Sequence, residues 1–154
     1  MLTTSVPSSL VITGRTYSNS TDPKQVGGTY GQFIPGVSPD QGIGLGDRPL
    51  QILQLEESQN YRSNVGLAEL TGNPVDLVVS AVTPESKVSP SVPVHLDPNQ
   101  FVQLGHVLNS FGFPPNVYNA RITVRVVGST GRVTAYGSVI DNVTIDPTYV
   151  PAQQ

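Results

Sequence analysis

The chain has 154 residues, a length that suits one ordinary domain with a core of its own. The net charge is −3, charged residues make up 12%, and no two basic residues are adjacent, which argues against a nucleic-acid partner. The chain has no cysteine, which excludes a disulfide scaffold, thiol catalysis and zinc–thiolate sites, and no apolar stretch is long enough for a membrane span.

The N-terminal part is predicted to hold one strand and a long connection. A β-branched run from Leu10 to Tyr17 predicts the strand. Residues 19–47 are dense in Gly, Pro, Asn and Asp, and only Thr29 to Ile34 has an extended pattern. Because a structureless connection of this length is unusual inside a compact domain, we expect a linker. The predicted division is an N-terminal extension with an orphan strand, residues 1–46, and a β-sandwich domain, residues 47–154.

The predicted domain opens with short strands separated by turns. Apolar residues that alternate with a one-residue shift at 50–55 predict a bulged strand. Alternation predicts further strands near 65–67, 75–81 and 92–96. Pro90 and Pro93 place the last of these at a sheet edge, because proline donates no ladder hydrogen bond.

A helix and a hairpin are predicted to complete the domain. The helix follows Asp97, and its apolar face would consist of Phe101, Leu104, Leu108 and Phe111, although its first residues fit an extended segment equally well. The runs at 122–126 and 133–139, joined by the Gly128–Gly131 turn, predict a hairpin. Six to eight such strands indicate an all-β fold, an antiparallel sandwich with one short helix.

A motif near the start of the chain is repeated near its end. The first copy is Asn19-Ser-Thr21-Asp22-Pro23 with Thr29-Tyr30-Gly-Gln-Phe33-Ile34-Pro35, and the second is Asn142-Val-Thr144-Ile-Asp146-Pro147 with Thr148-Tyr149-Val150-Pro151. Asn19 and Asn142 are 123 positions apart, about the length of one domain. This spacing is typical of tandem architecture. We therefore expect one whole unit preceded by the closing strand of another.

These motifs resemble those of immunoglobulin-like β-sandwich repeats in bacterial secreted and surface proteins. The resemblance rests on Tyr61–Leu67, on Gly131–Asn142 and on the Asp146–Pro151 tail. In addition, Leu10 to Pro35 resembles the closing strand of a preceding repeat. The resemblance implies an immunoglobulin-like sandwich that belongs to, or derives from, a tandem array. It brings no catalytic residues with it.

Three polar motifs have simpler explanations than ligand binding. Gly42–Asp47 has the glycines of a phosphate loop but lacks its lysine and its helix. His95, Asp97 and His106 supply too few convergent ligands for a metal. The turn at 141–146 fits either a calcium site or side chains that fold back onto the backbone. Since no catalytic constellation can be assembled, we expect no enzyme and no cofactor.

The surplus strand gives the leading functional hypothesis. It can add to an exposed sheet edge of a neighbouring molecule and, repeated head to tail, build a filament. We expect a non-catalytic extracellular or cell-surface module, structural or adhesive, whose partners are copies of itself or neighbouring repeats of the same chain. The predicted interface consists of donor-strand and linker residues: Leu10, Val11, Ile12, Thr13, Arg15, Tyr17, Tyr30, Phe33 and Ile34.

Two alternatives remain open. The chain fits a spacer from a longer tandem array, in which the first strand folds back on its own domain. It also fits a carbohydrate-binding module of an exported hydrolase. That hypothesis predicts exposed tyrosines aligned on one sheet face, and the absence of tryptophan counts against it.

Overall fold

Ten strands and two short helical segments form the part of the chain that the structure, a computed structural model, describes: residues 11–20 and 27–154. The strands are β1 (Thr13–Asn19), β2 (Thr29–Pro35), β3 (Leu50–Glu57), β4 (Tyr61–Glu69), β5 (Val75–Val82), β6 (Val92–Leu96), β7 (Phe101–Leu104), β8 (Val117–Ser129), β9 (Val133–Asp141) and β10 (Pro147–Pro151). A 3-10 helix spans Pro39–Gln41, and the α-helix α1 spans Val107–Ser110. Neither is long enough to cross a membrane.

Eight strands form two antiparallel sheets that pack face to face. Sheet I has the order β10-β9-β4-β7, and sheet II has the order β3-β8-β5-β6. The other two strands, β1 and β2, form a separate antiparallel hairpin. The predicted all-β antiparallel sandwich with one short α-helix is therefore confirmed.

The core lies between the two sheets and follows the period of two that a half-buried strand requires. In β5, Val75, Leu77, Val79 and Ala81 are buried, and the residues between them are only partly buried. The core also includes Ile43, which exchanges two backbone hydrogen bonds with Val133. Packing of the sandwich thus begins before the boundary predicted at Asp47.

Two predicted details of sheet II are confirmed. The register between β3 and β8 shifts between Ile52 and Leu55, and Gln54 in this bulge has a φ of 58°. At the other side of the sheet, β6 pairs with β5 alone and is an edge strand. Its proline, Pro93, lies opposite Val78.

The predicted helix is shorter than its apolar spacing indicated. Phe101 and Leu104 belong to β7, which pairs with β4, and only Leu108 of the predicted helix face lies within α1. His106 separates the two elements because its left-handed backbone, with a φ of 46°, fits neither. The first half of the predicted helix is instead a strand that pairs with β4. The sequence allowed for this, because the first residues of the segment also fit an extended conformation.

The predicted hairpin between residues 122–126 and 133–139 is wrong. β8 pairs with β3 and β5 in sheet II, whereas β9 pairs with β4 and β10 in sheet I. The Gly128–Gly131 turn therefore carries the chain from one sheet to the other. Alternation identifies a buried face, but both inner faces of a sandwich have the same pattern, so it does not say which sheet a strand joins.

A buried carboxylate ties the turn after β4 to the turn before β7. Glu69 is 5% exposed and accepts hydrogen bonds from the amides of Thr71 (2.6 Å), Gly72 (2.8 Å) and Asn99 (2.8 Å), and from the Thr71 hydroxyl. Burial by itself would raise the pKa of Glu69, but these hydrogen bonds outweigh it and lower the pKa from 4.5 to about 2.

We expect Glu69→Gln to destabilise the sandwich in a pH-dependent way. Because the folded pKa is depressed, the carboxylate stabilises the fold above pH 4.5, and this stabilisation is lost as the pH falls towards 2. Near neutral pH the variant should lose on the order of 2–3 kcal/mol of unfolding free energy. Urea unfolding at several pH values measures this, with Asp146→Asn as the exposed control. Equal pH profiles for wild type and variant would contradict the assignment.

Candidate functional site

The β1–β2 hairpin lies outside the sandwich and exposes most of its side chains. Every residue of β1 is exposed, including Tyr17 at 64%, and Val11 just before it is 88% exposed. In β2, Phe33 is 56% exposed. The predicted orphan strand thus has a partner, β2, inside the segment predicted to be a linker.

One edge of β1 has no partner strand among the described residues. At the two ends of the hairpin, Gly36 N donates to Ile12 O (2.9 Å) and Ser20 N donates to Gly28 O (2.8 Å). Because hydrogen-bonded pairs alternate along an antiparallel ladder, the even-numbered residues of β1 bond to β2. The odd-numbered residues direct their N–H and C=O groups away from β2. We call this row the open edge: Thr13, Arg15, Tyr17 and Asn19.

The hairpin has two different faces. On the outer face, the Arg15 guanidinium lies 5.9 Å from the centre of the Tyr17 ring, and Arg15 pairs across the ladder with Phe33. On the inner face, Gln32 is 8% exposed and accepts a hydrogen bond from the Ser138 hydroxyl of β9 (2.9 Å). The inner face therefore packs on sheet I, whereas the outer face presents Arg and aromatic side chains, which are common at protein interfaces.

The N-terminal hairpin repeats the geometry of the C-terminal hairpin, β9–β10. Gly14 pairs with Ile34 as Gly137 pairs with Val150. The flanking pairs agree as well: Thr13–Pro35 matches Tyr136–Pro151, and Arg15–Phe33 matches Ser138–Tyr149. Gly14 and Gly137 are separated by 123 positions, the same spacing as Asn19 and Asn142. The sequence repeat is thus also a structural repeat with one register.

The two hairpins differ in what lies beside their first strand. In β9, the residues that match the open edge pair with β4, and Asn142 N donates to Asn60 O (2.7 Å) at the end of that ladder. A Cβ atom at Gly137 would lie 2.7 Å from Ile52 Cγ2, because the core packs against this glycine. Among the described residues, a Cβ atom at Gly14 would meet only the Ile34 carbonyl oxygen, at 3.7 Å. No strand and no core in the described part of the chain lies beside β1 at the position that β4 and the core occupy beside β9.

Three aromatic side chains form a row across the outer face of sheet I. The ring centres of Phe101 and Tyr136 are 6.4 Å apart, and those of Tyr136 and Tyr149 are 5.4 Å apart, with interplanar angles of 11° and 24°. Tyr136 lies over Gly66, where a Cβ atom would be 2.3 Å from Tyr136 Cε1. Burial raises the pKa of Tyr136 and of Tyr149 above the ordinary value for tyrosine, which shows that both side chains are partly withdrawn from water.

The polar motifs of the sequence are engaged in local contacts. His95 bonds to Asp76 (2.6 Å) and lies 3.6 Å from Asp97, and the Asp76 carboxylate raises the pKa of His95. His106 bonds instead to the buried Glu57 (2.8 Å). In the part of the chain that the structure describes, no three His, Cys, Asp or Glu residues are grouped to hold a metal ion.

The side chain or backbone of two further motifs contributes to local structure. Asp141 Oδ1 accepts the amides of Val143 (2.7 Å) and Thr144 (3.0 Å), which lowers the pKa of Asp141 and shows its side chain folded back onto the turn. Gly42 and Gly44 flank the core residue Ile43 and are themselves buried, so the first half of this glycine segment is packed. The second half is an exposed turn, in which Leu45 is 63% exposed.

The structure brings most of the predicted interface residues together on one hairpin. Leu10 lies outside the described residues. The outer face and open edge hold Thr13, Arg15, Tyr17 and Phe33, and the inner face holds Tyr30 and Ile34. Gln32 and Phe101 were not predicted. Phe33-Ile34-Pro35 and Tyr149-Val150-Pro151 share an aromatic, β-branched, proline order that signals the repeated hairpin.

We expect Gln32→Ala to loosen the hairpin and leave the sandwich intact. The buried hydrogen bond to Ser138 contributes about 1 kcal/mol, so amide exchange in β2 should become about fivefold faster. Hydrogen exchange read by mass spectrometry, with Gln59→Ala as the exposed control, measures this. Unchanged exchange across Thr29–Pro35 would show that other contacts hold the hairpin.

Comparison with known proteins does not assign the chain to a family. No protein-family model, no curated protein and no solved structure matches it at a significant level. The resemblance to immunoglobulin-like repeats stays a prediction. The function is therefore inferred from the open edge and from the aromatic row.

Proposed function

We propose that this protein is a non-catalytic structural or adhesive module of the cell surface or extracellular space that assembles head to tail. The open edge of β1 is the observation that supports the proposal. Its backbone groups have no strand partner among the described residues, and an exposed edge of this kind pairs readily with another chain. Repeated between identical copies, one heterologous contact gives an open filament.

Hydrogen bonding and side-chain burial both contribute to such a contact. Each ladder hydrogen bond is worth about 0.5–1.5 kcal/mol net. Burial of Ile12 or Phe33 adds about 1.5–3 kcal/mol each. Association of two molecules costs about 4–15 kcal/mol in lost freedom, so the ladder needs the exposed side chains of the hairpin as well.

The hairpin is well suited to donate its edge. An isolated two-stranded hairpin is only marginally stable in water, but here Gln32 anchors its inner face to Ser138. The open edge is thereby held in an extended conformation before a partner arrives. Less conformational entropy is then lost on binding than with a disordered donor strand.

Arg15→Pro and Arg15→Ala together test the role of the open edge. Both variants remove the same side chain, but only proline removes the N–H group that points away from β2, and the bonds between β1 and β2 are kept. We expect the proline variant to associate at least about tenfold more weakly than the alanine variant, since tenfold corresponds to about 1.4 kcal/mol. Analytical ultracentrifugation and electron microscopy of the full chain measure this.

The same experiment separates assembly from the spacer hypothesis. Filaments formed equally by the proline and alanine variants would refute donation through this edge. A wild-type protein that stays monomeric at high concentration would refute self-assembly and favour a spacer.

The aromatic row supports carbohydrate binding as a second candidate function. Phe101 is 52% exposed and lies in line with the partly buried Tyr136 and Tyr149 on one sheet face, where stacked rings can contact a sugar. If the row binds sugar, Phe101→Ala should weaken retention on an insoluble polysaccharide. Tyr118→Ala, at an exposed tyrosine outside the row, is the control. Equal retention of both variants, or no retention of the wild type on a polysaccharide panel, would contradict this function.

A further inference from the structure

Three of the four outer strands of the sandwich are poor acceptors for another strand. β6 contains Pro93, which has no amide hydrogen. β10 begins and ends with proline and lies against β2. Gln51 of β3 exchanges two backbone hydrogen bonds with Gln153, which covers that side.

The remaining outer strand, β7, has a row of backbone groups that bond to no strand in the described part of the chain. It contains no proline, and its one strand partner among the described residues is β4. Glu69 N donates to Gln100 O (2.9 Å), so Val102 and Leu104 continue the bonds to β4. By alternation, Phe101 and Gln103 direct their N–H and C=O groups away from the sheet. β7 thus presents the same kind of edge as β1.

We infer that the open edge of β1 adds antiparallel to β7 of a second copy of this chain, with Arg15 opposite Gln103 and Tyr17 opposite Phe101. This inference rests on the proposed assembly and names its acceptor. In this register, Tyr17 extends the aromatic row of sheet I by one ring, and cross-strand aromatic pairs are favourable. Gly14 and Ile34 then face the inner side of the extended sheet, as Gly137 and Val150 do in β9–β10.

The distribution of charge along the chain also favours the sandwich of a second copy as the acceptor. Residues 1–35 contain Arg15, Lys24 and Asp22 and have a net charge of +1, whereas residues 36–154 have a net charge of −4. A hairpin is therefore attracted to the sandwich of another copy and repelled by another hairpin. Pairing between two β1 strands, which would give a closed dimer, is disfavoured by this distribution.

Complementary proline variants of the full chain test the acceptor. Gln103→Pro removes an outward N–H group of β7 and keeps its bonds to β4, and Arg15→Pro does the same for the donor edge. Each variant alone should stay monomeric, and an equimolar mixture should form a one-to-one dimer that cannot grow, because one intact donor and one intact acceptor remain. Ultracentrifugation measures the species, and thermal unfolding checks that each variant is folded.

Disulfide cross-linking provides a second readout that does not depend on proline being tolerated. The chain has no cysteine, so Arg15→Cys and Gln103→Cys can be mixed as two single-cysteine proteins. Directly opposed residues have Cα atoms about 5.5 Å apart, within the range of a disulfide. We expect at least about tenfold more heterodimer than from Arg15→Cys with His95→Cys on β6, the matched edge control.

The outcomes distinguish the acceptor from the proposed function. Filaments of Gln103→Pro that match the wild type, or cross-links to His95→Cys in equal yield, overturn β7 as the acceptor and leave donation by β1 intact. If Gln103→Pro forms a closed dimer, β7 is not the acceptor, and the two β1 strands pair with each other instead. A wild-type chain that does not assemble overturns both the acceptor and the proposed function.

Discussion

The organisation of this protein depends on one constraint: backbone N–H and C=O groups that no neighbouring strand bonds must be satisfied by water or by another chain. The sandwich meets this constraint for β9, which lies between β4 and β10. The N-terminal hairpin copies β9–β10 in register, but residues 11–20 and 27–154 hold no equivalent of β4 beside it. Its sequence therefore specifies a strand pair that is complete on one side only. The proposed assembly follows from that asymmetry, because it supplies the missing side from another molecule.

The sandwich could be predicted from sequence because its inner faces are set by local alternation. Val75 to Ala81 shows the period of two directly, and Pro93 identifies an edge strand. The pairing of β1 with β2 could not be predicted in the same way. Residues 20–28, between the two strands, contain two glycines, one proline and one aspartate and show no strand pattern. The pairing depends on contacts that no local pattern encodes. The same limit explains why β8 and β9 were expected in one sheet and lie in two.

The candidate site was predicted in part. The sequence repeat indicates the surplus strand, which includes Arg15 and Tyr17, and the predicted linker, which includes Phe33. Which backbone groups of β1 are open depends on whether its odd-numbered or its even-numbered residues bond to β2. The hydrogen bonds at Ile12 and Ser20 show that the even-numbered residues do. A single-residue change of register would exchange the free and the bonded groups of β1. Sequence alone does not fix this choice, whereas the shared register of the two hairpins does.

In the proposed assembly, the open edge would make the same physical contact in a tandem protein and in a filament of separate copies. When donor and acceptor belong to one chain, the linker sets a high effective concentration and the contact can be weak. Separate copies lack this advantage, so the ladder must be reinforced by side chains. In the proposed contact, that reinforcement would come from Arg15, Tyr17 and Phe33 on the outer face, and from the opposite net charges of the hairpin and the sandwich. A strand that only pairs within a tandem chain would need neither the outer-face side chains nor the opposite charges. Their presence favours contact between separate copies.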